Sequence, residues 1–171
     1  MSALLRRATP ADVTAVMALQ ALAYGPALLE PAQVMADRLA SAAGRCWLVE
    51  DAEGPCAYLL THRTQLGHVT PLGGGFALVD GCDSLHLHDL AVAPRAAGRG
   101  LGGRLVERAL HCAADEGLAW SSLVAVQGSQ GFWQARGYSA GSTVLTAREA
   151  AHLASYGAAV YMTRAVAQAT R

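Results

Sequence analysis

Residues Ser84 to Gly103 read Ser-Leu-His-Leu-His-Asp-Leu-Ala-Val-Ala-Pro-Arg-Ala-Ala-Gly-Arg-Gly-Leu-Gly-Gly. The first nine have the make-up of a strand. After the glycines, Leu101, Leu105, Ala109, Leu110 and Ala113 recur at helical spacing as one apolar stripe. A glycine-rich turn between a strand and a helix is a place to hold a pyrophosphate. Glycines let backbone N–H groups approach phosphate oxygens, and the helix N-terminus adds partial positive charge. Arg95, Arg99 and Arg104 place fixed positive charge around the same turn.

Other phosphate-binding patterns fit less well. Gly98-x-Gly100-x-x-Gly103 matches the dinucleotide fingerprint in letters, but Pro94-Arg95-Ala96-Ala97 separates the strand from the first glycine. No acidic residue lies between Glu116 and Glu149 to take a ribose. A P-loop is excluded because the chain contains no lysine. The plain alternative is a glycine-rich turn before an ordinary helix.

With 171 residues, the chain reads as one domain over 1–171, long enough to bury a substantial core. Its 13 basic and 13 acidic side chains balance, so no general attraction to nucleic acid or to an anionic membrane is expected. No unbroken apolar run approaches the ~18 residues of a membrane span, and the start does not read as a signal peptide. A cytoplasmic protein is the expectation. Cys46, Cys56, Cys82 and Cys112 are widely spaced, which suits reduced thiols.

Working outward, Leu4 to Ala8 reads as a first strand. Thr9-Pro10-Ala11-Asp12 starts a helix that Gly25-Pro26 stops, and Glu30-Pro31 starts a second. Cys46–Glu50 and Cys56–Leu60 flank an acidic Gly-Pro turn as a hairpin. Residues 63–83, with Gly73-Gly74-Gly75, form a long excursion. Leu118–Val126 is a strand of the kind buried on both faces, Ser129–Arg136 a short helix capped by Gly137. Val144-Leu145 and Ala159–Met162 are the last strand candidates, with a helix over Arg148–Ala154 between them.

The Leu90-Ala91-Val92 strand followed by Arg95-x-x-Gly98-x-Gly100 resembles the acetyl-CoA signature of the GNAT N-acetyltransferase family. The order of elements matches the family along nearly the whole chain. Gln127 to Tyr138 resembles its late aromatic segment. The resemblance implies an α/β (α+β) fold: a mixed sheet of about six to seven strands, splayed between the fourth and fifth and flanked by about four helices. It implies acetyl-CoA as co-substrate, held in a gap between Leu90-Ala91-Val92 and Leu123-Val124-Ala125. Splayed strands leave backbone groups that the pantetheine arm can satisfy. Leu90, Ala91 and Val92 would line that arm, and the Leu90 amide would polarise the thioester carbonyl. The pyrophosphate would rest on Gly98, Gly100, Leu101, Gly102 and Gly103 beside Arg95 and Arg99, with Phe132 against the arm.

The implied reaction is direct attack by a primary amine of a small molecule or peptide on the thioester. An alkylamine of pKa ~10.4 must give up ~4.6 kcal/mol of proton affinity at pH 7, against about 1.4 kcal/mol for an α-amine. A base is therefore needed most for an alkylamine. Candidates are His86, His88, Asp89 and Glu30. His86 and His88 share one strand face, and Asp89 faces the other unless a bulge intervenes. The alternative roles are a satisfied strand histidine for His88, a salt-bridged carboxylate for Asp89 and a helix cap for Glu30. Tyr24, Leu28, Glu30 and His62 are the candidate acceptor contacts. Trp133 stands where many family members carry a general-acid tyrosine, which leaves water, Tyr24 or Tyr58 to supply that proton. The family also makes a homodimer an expectation. Two other functions fit the residues: a CoA-binding sensor without turnover, and a metal-dependent hydrolase using Cys82, His86 and His88.

Overall fold

The computed structural model describes residues 3–167. The chain runs β1 (Leu4–Arg7), α1 (Val13–Ala23), α2 (Ala32–Ala40), β2 (Trp47–Asp51), β3 (Gly54–Thr64) and β4 (Ser84–Val92). It continues through α3 (Leu101–Asp115), β5 (Trp120–Ala125), α4 (Gln130–Gln134), β6 (Ser139–Ala140), α5 (Ala147–Ala154) and β7 (Val160–Ala165). The strands form one sheet in the order β1-β2-β3-β4-β5-β7-β6. The β4–β5 pair is parallel and the others antiparallel.

Local chemistry sets the element ends. Thr9 donates its backbone N–H to the Asp12 carboxylate at 2.8 Å, and Arg6 clamps the same carboxylate from β1. Together they fix the turn into α1. Pro31 serves as the residue before α2, and Thr146 caps α5 by accepting from the Glu149 N–H. Gly100 precedes α3 in the left-handed region with φ +72°, a conformation most residues avoid.

Each face of the sheet buries a core. Leu85 and Leu87 pack with the Leu101, Leu105, Ala109 and Ala113 stripe of α3. On the opposite face Val16, Leu19, Met35 and Leu39 of α1 and α2 cover Leu48, Tyr58 and Leu60. Each fully buried leucine contributes roughly 1.5–3 kcal/mol, so these two stripes hold the helices to the sheet.

The late strands depart from expectation. Val144 lies in a 3-10 turn over Ser142–Val144, Leu145 follows it outside any strand, and the edge strand is the shorter β6. The cause is Gly141. A Cβ there would sit 2.6 Å from Thr163, so the chain crosses β7 closely at a glycine and then leaves the sheet. Among the described residues five α-helices form. All four cysteines are free. Among the described residues no helix is long and apolar enough to cross a membrane.

Two irregularities in β4 shape the centre of the sheet. Its parallel pairing with β5 runs from Ser84↔Trp120 to Leu87↔Leu123 and stops, although β4 continues to Val92 and β5 to Ala125. On its other edge Leu60 faces Asp89 while Thr61 faces Leu87. His88 is therefore an extra residue in β4, a bulge.

Candidate active site

The bulge decides which side chains meet. In a regular strand His88 and Asp89 would point to opposite faces. With His88 inserted, Leu87 and Leu90 both pack on the α3 side, and Asp89 turns to the α1–α2 side. There His86, His88 and Asp89 lie together, with the His86 and His88 rings 6.1 Å apart.

Where β4 and β5 part, a cavity of about 330 Å³ opens. One end is walled by Leu90, Val92, Gly102, Val124, Phe132 and Trp133. The other is walled by Tyr24, Leu28, Glu30, Leu72, Asp89 and Tyr156, with His88 among them. The Ala93 N–H donates to Cys56 on β3 at 2.8 Å, so strand alternation turns Val92 and Leu90 away from β3 and toward the gap. The Tyr24 hydroxyl donates to the Leu90 carbonyl there, at 2.9 Å.

Gly102 lines the first end, and the glycines of the turn around it divide into two kinds. Gly98 and Gly100 have φ of +75° and +72°, and a Cβ on either would meet nothing within 4 Å. They serve backbone conformation beside open space. Gly102 and Gly103 are needed for packing: their Cβ atoms would lie 3.3 Å from Phe132 and 3.2 Å from Arg136. The Arg136 guanidinium sits 3.5 Å over the Phe132 ring and holds it against α3. The N–H groups of the first turn of α3 have no partners within the helix and point out beside Gly100.

The arginines near this loop are less free than the sequence suggests. Arg95 donates to both oxygens of Asp51 and to the Gly54 and Pro55 carbonyls. Arg99 reaches Asp51 at 2.6 Å, and Arg104 reaches the Ala3 carbonyl. Arg95 therefore staples the loop to the β2–β3 turn rather than surrounding the glycines. Ala91 is corrected as well: it pairs with Tyr58 and is buried in the α1–α2 core, away from the gap.

The second end is built on a buried ion pair. Arg38, 0 % exposed, grips Glu30 through two bonds of 2.5 and 2.6 Å. Glu30 also accepts the Gly73 N–H, and its other oxygen lies 3.6 Å from His88 Nε2. Glu30 thus caps no helix; it ties α2, the 65–83 excursion and β4 together. Burial resists its ionisation, but His88 and Arg38 outweigh that and hold the carboxyl well below its usual range. Its lone pairs are engaged, so it is a poor candidate to take a proton.

Asp89 is the opposite case. Burial pushes its carboxyl up to about 6, against the Tyr58 hydrogen bond and the nearby Tyr24 hydroxyl, which favour the charge. Tyr58 donates to one carboxylate oxygen at 2.6 Å; the other is buried without a protein partner. His88 is kept neutral by burial and by the nearby Arg38 charge, with Glu30 opposing, and its Nδ1 is likewise unpartnered. Both side chains face the cavity.

Three other candidates fall outside it. His62 is buried, lies 3.1 Å from the Thr70 hydroxyl and stacks on Phe76 at 4.2 Å. His86 is tied to Ser122. Cys82 donates to the Val79 carbonyl, and among the described residues no three His, Cys, Asp or Glu side chains are arranged to hold a metal. Trp133 is buried edge-to-face against Phe132 and Tyr138. Sequence reasoning missed Arg38, Leu72 and Tyr156. Arg38 lies on the buried side of α2 with Met35 and Leu39, where the helical pattern leads one to expect an apolar residue and not a charge, and Tyr156 lies beyond a short late helix.

The model of the acetyltransferase (GNAT) family matches residues 14–138. Similar solved structures include the ribosomal-protein-S18-alanine N-acetyltransferase of Escherichia coli, at 14% identity and TM-score 0.72, covering 99% of this chain and 97% of that one. The GphF GNAT-like decarboxylase in complex with isobutyryl-CoA has 18% identity and TM-score 0.76, over 96% of this chain and 100% of that one. The PaiA N-acetyltransferase of Thermoplasma acidophilum, in complex with coenzyme A, has 11% identity and TM-score 0.70, over 96% and 99%. At these identities the likeness is one of fold. No curated protein matches the sequence.

Proposed function

The chain belongs to the acetyltransferase (GNAT) family, and on that premise we propose that it moves an acetyl group from acetyl-CoA to a primary amine of a small molecule or peptide. The observation that carries the reading is the parting of β4 from β5 after Leu87 and Leu123, which turns Leu90 and Val92 toward an open cleft. The residues fit the co-substrate. Leu90 and Val92 offer backbone groups to the amides of its arm, Phe132 offers a flat apolar wall, and Gly98–Gly103 with the first turn of α3 offer N–H groups to its pyrophosphate. Bound there, acetyl-CoA supplies an activated thioester.

The protein's own part is proton handling and orientation. Asp89 accepts a proton from the incoming ammonium on the oxygen that Tyr58 leaves free. The amine nitrogen attacks the thioester carbonyl, a C–N bond forms, the C–S bond breaks, and the sulfur leaves as a thiolate that takes up a proton. The Leu90 N–H is the proposed donor to the carbonyl oxygen. His88, oriented by Glu30, takes the second proton from the nitrogen as the C–N bond forms, which leaves the amide with one N–H. The sulfur's proton comes from water, because the Tyr24 hydroxyl is already given to the Leu90 carbonyl. Burial, first, and Asp89 hold that hydroxyl well above the usual tyrosine pKa, so it stays protonated. Two unpartnered acceptor atoms in the cleft support turnover over a silent CoA-binding sensor, which would have no use for them.

The test is calorimetric binding of acetyl-CoA to the wild type, Gly100→Ala and Gly100→Glu, followed by an amine screen. The expected order is similar binding to the first two and about a hundredfold weaker binding to the third, each still folded. Equal binding by all three, or none by the wild type, would remove the glycine turn from the cofactor site.

A further inference from the structure

The acceptor end of the cleft is one-sided in its hydrogen bonding. Each phenol near it is already spent as a donor: Tyr24 on the Leu90 carbonyl, Tyr156 on the Thr70 carbonyl, Tyr58 on Asp89. Arg38, the cation behind the wall, is saturated: Nη1 and Nη2 bind Glu30, Nη2 and Nε bind the Gly74 carbonyl, and Met35 sulfur takes a weaker contact. Among the described residues lining this end, the buried side-chain atoms without a partner are Asp89 Oδ1 and His88 Nδ1. The Glu30 carboxylate beside Nε2 favours a proton on that nitrogen, which leaves Nδ1 as an acceptor. The hydroxyl in the lining, Ser129, belongs to the start of α4 on the Phe132 side.

We infer that the acceptor is a small primary amine on an apolar skeleton that carries no carboxylate. The inference rests on the transferase reading and names its substrate class. A primary ammonium is a donor-only group, the complement of two bare acceptors. A carboxylate on the neighbouring carbon, as in an amino acid, brings acceptors only. It would face Asp89 at close range and, among the described residues lining this end, find no free cation, since the Glu30 grip on Arg38 would have to break first. A peptide amino terminus brings a carbonyl that likewise lacks a donor. The remaining wall is apolar, from Leu28, Leu72 and the Tyr156 ring, and a cavity of about 330 Å³ must also admit the acetyl end of the co-substrate. A short alkyl or arylalkyl group fits that description.

The full chain is assayed for CoA thiol release from acetyl-CoA with matched pairs: phenethylamine against phenylalanine, isopentylamine against leucine, and a short peptide with a free amino terminus. Acetyl-CoA binding is measured in parallel by calorimetry. The expected kcat/KM for each amine exceeds that for its amino acid, and for the peptide, by about a hundredfold or more. Amino acid or peptide turnover within tenfold of the amines overturns the substrate class while leaving the transferase reading intact. Acetyl-CoA binding with no amide formed from any of them overturns the transferase reading, and this inference with it. Asp89→Asn gives a second arm: it should narrow the gap between amine and amino acid at unchanged acetyl-CoA affinity, and a gap that stays as wide would remove Asp89 from the discrimination.

Discussion

At the Gly98–Gly103 end the cleft is made of backbone and open space; at the Glu30 end it is made of buried side chains that hold one another. The first needs glycine conformations and a helix N-terminus, both local in sequence. The second joins Glu30, Arg38, Gly73, His88 and Asp89 from three separate segments. A site for a common co-substrate can be a reusable local device. A site for a particular acceptor needs charges whose partners are fixed by tertiary structure, because an unpartnered buried charge is too costly to keep.

The contrast breaks most sharply at Arg38. Replacing it with Met leaves Glu30 buried without its partner, at an expected cost of about 3–5 kcal/mol. Urea unfolding measures this, and a loss below ~1 kcal/mol would mean that Glu30 can reach water. Next comes Asp89→Asn, expected to lower kcat by about 10²–10⁴-fold and to remove the acidic limb near pH 6. A variant that keeps that limb would pass the base role to His88.

The same substitution tests the burial of Asp89 through stability. The folded carboxyl, pushed up to about 6, holds its proton more tightly than the unfolded one at 3.8. The native state therefore binds more protons between those values, and this group makes stability fall as pH rises from about 4 to 6. The difference between wild type and Asp89→Asn in urea midpoint should shift across that window by the equivalent of a few kcal/mol.

At the other end Gly100→Glu should weaken acetyl-CoA about a hundredfold, from a carboxylate set against a diphosphate. Arg95→Ala is expected to have the smallest effect, under tenfold in acetyl-CoA affinity, because its donors go to Asp51 and the β2–β3 turn. Loss of binding on that substitution would show that Arg95 leaves Asp51 for the pyrophosphate.

Legibility in the sequence divides along the same line. The strand at 84–92, the glycine turn and the α3 stripe stand out because strand and helix periods and glycine turns are local signals. Tyr24, Leu28, Glu30, His88 and Asp89 line the cavity. His62 does not, because its neighbour Thr70 and the Phe76 ring enclose it. Arg95 and Arg38 were misjudged or missed for one reason: a guanidinium's partner lies far away in the chain, at Asp51 and Glu30, and composition does not name it.

By itself the sequence determined the order of elements, the faces that form the core and the pyrophosphate-like turn, since each depends on residues within a few positions of one another. The tertiary structure alone decided two things. One is the bulge at His88, which brings Asp89 to the side of Glu30 and appears only as a mismatch of register with β3. The other is the pairing of the buried charges, because which cation meets which carboxylate depends on where α2 and the 65–83 excursion settle over the sheet.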